Sequence, residues 1–75
     1  MDIRIIETAA KVLRIDTEQV KKHCKPIPED NAFYFCNPVK GGLAVIVASN
    51  GEKLGAASSV SFDRHLAAFR SGKRN

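Results

Sequence analysis

The chain has 75 residues, 44% apolar and 27% charged, with 12 Lys and Arg against 8 Asp and Glu for a formal charge of +4. This is ordinary globular composition for one small domain with a thin core, and a substrate pocket of about 300 Å³ or more would take a large share of that core, which weighs against an enzyme. The longest apolar run, residues 43–48, falls far short of the ~20 residues of a membrane span.

The N-terminal stretch has neither the long apolar region nor the small-residue cleavage site of a signal peptide. Two cysteines, Cys24 and Cys36, are too few for the disulfide framework of a small secreted domain. Both features place the chain in the cytoplasm with free thiols, although a Cys24–Cys36 bridge is compatible with the sequence.

Ile3, Ile6, Ala10 and Leu13 recur at three- and four-residue spacing, with Ile5, Ala9 and Val12 widening the stripe. This predicts a first helix over 2–13, capped by Asp2 and supported by Glu7 four residues before Lys11. Asp16 and Gln19 form a capping box, and Ile15 and Val20 a hydrophobic staple, for a second helix from Thr17 to about Cys24. Pro26 and Pro28 end it, because the residue before a proline avoids helical geometry. Residues 26–31 then read as an extended linker between a helical front, 2–25, and a β-rich back.

Ala32–Cys36, rich in aromatics, reads as a strand that Asn37-Pro38 stops and Gly41-Gly42 turns. Leu43–Ala48 is apolar on both alternating faces, the pattern of a central strand covered twice. Asn50-Gly51 is a strong hairpin signal, and Glu52–Ala57 follows as a weaker strand at an edge. Together, residues 32–57 form a meander. Ser59 or Ser61 caps a last helix over 61–71, whose Phe62, Leu66 and Phe69 face the sheet. Gly72 suits the left-handed residue after that helix, and 73–75 fray. The fold class is α+β, ordered α-α-β-β-β-α: a three-stranded antiparallel meander with helices packed on it. Cover for the second face of Leu43–Ala48 comes from a second helical layer or from another molecule.

The glycines do not form a phosphate loop. Lys40 precedes Gly41 and Gly42, a strand follows them, and Gly51 falls outside dinucleotide-binding spacing. Their reading is turn chemistry. Residues 9–25, "AAKVLRIDTEQVKKHCK", resemble the helix-turn-helix DNA-binding family: two alanines, a leucine, a short turn with Ile15, then Val20 in a lysine-rich second helix. Arg14 stands at the turn position that the family usually fills with glycine, and His23 at a late apolar position. The resemblance implies nucleic-acid contact through Thr17, Gln19, Lys21, Lys22 and Lys25, with the lysines on phosphates and Gln19 near base edges. The basic tail, Arg70, Lys73 and Arg74, would add to it; the plainer role of these cations is to complement helix C-termini.

Candidate catalysts are sparse. Cys36 and His65 are the one Cys–His combination, with His65 otherwise a surface or boundary residue. His23, Cys24, Cys36 and His65 lack metal-chelating spacing. Ser58, Ser59 and Ser61 sit in no nucleophile elbow, and Glu29-Asp30 reads as an exposed turn. No catalytic, cofactor-binding or metal residue is assigned. Phe33 and Phe35 share one face of their strand and Tyr34 takes the other. The reading favoured is a non-enzymatic module that binds a protein partner or a second copy of itself. Its contact residues are Tyr34 as anchor, Ile46 as apolar floor, and Lys40 and Lys53 at the rim, beside the edge strand.

Overall fold

The computed structural model describes residues 2–37, 42–57 and 59–74. Lys40, Gly41 and Ser58 lie outside the described residues.

The first helix, α1 (Ile3–Leu13), starts where expected: the Asp2 carboxylate accepts from the Arg4 amide at 2.9 Å. Its buried residues are Ile5, Ile6, Ala9 and Leu13, whereas Ile3 is 55% exposed. The inward face is thus rotated from the predicted stripe toward Ile5 and Ala9. Helix α2 (Thr17–Lys22) starts with the Asp16 carboxylate accepting from the Gln19 amide at 2.9 Å, and it buries Val20. It stops before Cys24.

Residues 26–31 are not a linker. Cys24–Ile27 is a strand, β1, and Pro28–Asp30 a single 3₁₀ turn closed by Asn31 in left-handed geometry. Strand β1 pairs antiparallel with β2 (Ala32–Cys36), with Pro26 opposite Phe33. The Cys36 amide donates to the His23 carbonyl at 3.3 Å, so alternation places the ladder bonds at Lys25–Tyr34 and Ile27–Ala32. Pro26 falls at a non-bonded pair on an edge strand, where its missing N–H removes nothing from the ladder.

Strand β3 (Leu43–Ala48) pairs with β2 and with β4 (Lys53–Ala57), both antiparallel. The sheet therefore has four strands in the order β1-β2-β3-β4, rather than three. The Asn50-Gly51 turn forms as expected, with Gly51 at φ +93° and the Glu52 amide donating to the Asn50 side chain at 3.0 Å.

Helix α3 (Phe62–Arg70) is capped by Ser61, whose hydroxyl accepts from the Arg64 amide at 3.3 Å. It ends with Gly72 at φ +100°, the Gly72 amide on the Phe69 carbonyl and the Lys73 amide on the Ala68 carbonyl. These two bonds make a Schellman ending and satisfy carbonyls that the helix leaves open.

Two hydrophobic clusters lie on opposite sides of the sheet. On one side α1 and α2 contribute Ile5, Ile6, Ala9, Leu13 and Val20 against Phe35, Val45 and Val47. On the other, Phe69 of α3 closes over Ile27, Ala32, Ile46 and Ala48, with Tyr34, Leu54, Phe62 and Leu66 half-buried around it. Strand β3 feeds both, which explains its unbroken apolar sequence. Each fully buried large side chain contributes about 1.5–3 kcal/mol, so both layers matter to a chain this short. The cover on the second face is α3. No helix among the described residues is long and apolar enough to cross a membrane.

Candidate functional site

The expected anchor residues lie beneath α3. Ile46 is fully buried there and offers no surface to a partner. Tyr34 is half-buried, its ring meeting Phe62 edge-on at 4.8 Å and His65 at 5.7 Å. Burial, reinforced by nearby Cys36, holds the Tyr34 phenol above its usual titration range. Lys53 is half-buried at the start of β4. Lys40 is outside the described residues. Lys53 pairs with Val47 and so faces the α1 side, whereas Tyr34 and Ile46 lie on the α3 side.

His65 departs most from expectation. It is 1% exposed, and its Nε2 donates to the Leu54 carbonyl at 2.7 Å, pinning α3 to β4. Its Nδ1 is buried with no hydrogen-bond partner. The signal was in the sequence: His65 lies three residues after Phe62 and four before Phe69, on the inward stripe itself. Cys36 does not bond to it, since one ring nitrogen is on Leu54 and the other is orphaned. The Cys–His nucleophile is not assembled in this geometry.

The cysteines are free and on opposite faces of the sheet. Cys24 packs on the α1 side with Phe33. Cys36 follows Phe35 of that same side and so points to the other. Burial pushes the Cys24 thiol above its ordinary value, which makes it a poor nucleophile at neutral pH. Among the described residues, no group of three or more His, Cys, Asp or Glu is placed to hold a metal ion.

The nucleic-acid candidates are also divided. Lys21 and Lys22 are exposed at the end of α2, and Thr17 and Gln19 are half-buried beside them. Lys25 alternates to the α3 side, where its ammonium sits 4.2 Å over the Phe62 ring. The basic tail is tied down. Arg70 pairs with Asp30 at 2.7 Å, and Arg74 pairs with Glu52 at 3.2 Å, donates to the Phe69 carbonyl and stacks 3.8 Å over the Phe69 ring. Arg74, expected to fray, is one of the fasteners of α3.

One end of the sheet is β4. This strand has β3 on one flank and, among the described residues, no strand on the other. Its sequence, Lys53-Leu54-Gly55-Ala56-Ala57, has small side chains over its second half. Ala57 is exposed and pairs with Leu43, which is 44% exposed on the α1 side. The other edge, β1, is blunted by Pro26. An apolar groove lined by Pro26, Pro28 and Phe33 lies at that edge. Small residues on an edge let another backbone approach closely, and an adjoining exposed leucine gives such a contact an apolar grip.

Comparison with protein-family models, with curated proteins and with solved structures finds no match to this chain.

Proposed function

We propose that the chain is a small cytoplasmic binding module that acts through contact with another protein or with a second copy of itself, without catalysis of its own. The edge strand β4 carries the reading: among the described residues it has a strand on one flank only, it is small in its second half, and it lies beside the exposed Leu43. The polar groups that an enzyme would draw on support it by their roles. Asp2, Asp16 and Ser61 cap helices, His65 pins α3, and Asp30 and Glu52 hold arginines. Two free thiols fit a reducing compartment. Lys53 stays in the proposed contact as its rim charge, and Leu43 and Ala57 take the anchoring role first assigned to Tyr34 and Ile46.

The test is photo-crosslinking from a reactive residue at position 57, with position 7 on the exposed face of α1 as control. The expected result is one discrete adduct from position 57, at twice the chain mass for self-association or at another fixed mass for a partner, and none from position 7. No adduct from either position, or equal adducts from both, contradicts the reading.

A nucleic-acid partner is the alternative, supported by exposed Lys21 and Lys22 at the end of a capped helix that follows a tight turn at Arg14. It predicts retardation of duplex or single strands at low salt that fades steeply as salt rises. Absence of retardation at low salt ends it.

A further inference from the structure

We infer that α3, together with residues 71–74, is a strap that opens from the sheet as a unit while the α1–α2 side stays folded. Three observations carry this independently of the contact proposed at β4. First, the two hydrophobic clusters share no residue, so losing one leaves the packing of the other intact. Second, the clusters are unequal. Helices α1 and α2 together bury Ile5, Ile6, Ala9, Leu13 and Val20, whereas α3 fully buries one apolar side chain, Phe69, with Phe62 and Leu66 half-buried. A nine-residue helix is too short to persist alone, so α3 exists only while docked.

Third, among the described residues the docking draws on a small set of polar fasteners. Two are ion pairs with exposed partners: Arg70, 51% exposed, with Asp30, and Arg74 with Glu52, 52% exposed. The others are the His65 bond to Leu54 and the Arg74 contacts with the Phe69 carbonyl and ring. His65 holds with one ring nitrogen while the other is buried without a partner, a cost present only in the closed state. The balance of few apolar contacts, exposed ion pairs and one unsatisfied buried group belongs to a segment of low local stability. Release of the strap bares Ile27, Ala32, Ile46 and Ala48 and frees the ring of Tyr34 from Phe62 and His65.

Native-state amide exchange on the full chain tests this, read at the helical amides of α3 and of α1. The expected result is α3 exchange faster than that of α1 by about tenfold or more. In the double variant Asp30→Asn, Glu52→Gln, α3 should speed up by roughly twofold to fivefold more while α1 is unchanged, and added salt should act in the same direction on the wild type. Neither substituted residue belongs to a cluster, so both clusters stay in place. Equal exchange in the two helices, or a double variant that moves both helices together or neither, overturns the proposal.

Discussion

Arg14 and Gly72 occupy the same place in two helix endings. Gly72 takes φ +100° after α3, where a glycine meets no steric penalty. Arg14 takes φ +58° after α1, with the Ile15 amide on the Ala10 carbonyl at 3.3 Å, and it carries a Cβ into a region that costs L-residues roughly 1–2 kcal/mol. Arg14→Gly should therefore raise stability by about 1 kcal/mol, a shift of roughly 4–8 °C in Tm for a chain this size. A urea midpoint that stays put or falls would show that the arginine side chain returns as much as its backbone costs. Cys24 gives a second residue-scale prediction. Burial favours its protonated form in the folded state, so its folded titration lies above the ordinary cysteine value. Its contribution to stability is full below the unfolded value and is lost as pH rises through the raised one. Alkylation at neutral pH should be slower than that of a small free thiol and should accelerate only in the alkaline range. A rate equal to or above the free thiol's at neutral pH would contradict the burial that the packing requires.

The elements divide by how much of their cause is local. Caps and turns depend on neighbouring residues: Asp2, Asp16, Asn50-Gly51 and Gly72 sit where the sequence predicts, and Ser61 is the one of two candidate serines that caps α3. The double-faced apolar run 43–48 is equally legible, because alternation reports burial on each side directly. Strand β1 was hidden for a different reason. Two prolines two positions apart argue against a strand, and what permits one is register: Pro26 meets Phe33 at a pair that exchanges no ladder bonds. Register is a property of the pairing, which no local window contains. The rotation of α1 has the same origin. Ile3 belongs to the periodic stripe, yet the sheet beneath selects Ile5 and Ala9. For the candidate contact surface, the edge position of the strand around Lys53 was legible. Leu43 and Ala57 were not, because their exposure depends on where α1 ends its cover. Alternation along β2 turns Tyr34, and its pairing partner Ile46, away from Phe33 and Phe35, but which molecule covers that face is a tertiary fact.

At the scale of the whole molecule, the net charge of +4 is distributed rather than pooled. Lys21 and Lys22 lie with α2, while Lys25, Arg70 and Arg74 lie around α3 on the opposite side of the sheet, the last two already ion-paired. That distribution works against one broad anion-binding face, and contact along β4 is the role we propose. This reading depends on the sheet being shielded on both sides within one chain. If the α3 side were instead closed by another molecule, Tyr34 and Ile46 would return as interface residues. The most direct measurement is an isotope-filtered NOE experiment on a mixture of labelled and unlabelled chains, read at the Ile46 methyls and the Phe69 ring. The account predicts strong Ile46–Phe69 and Ile46–Ala48 contacts within the labelled chain, at all concentrations, and none between chains. Contacts to Ile46 that cross between chains, or that vanish on dilution, would contradict it.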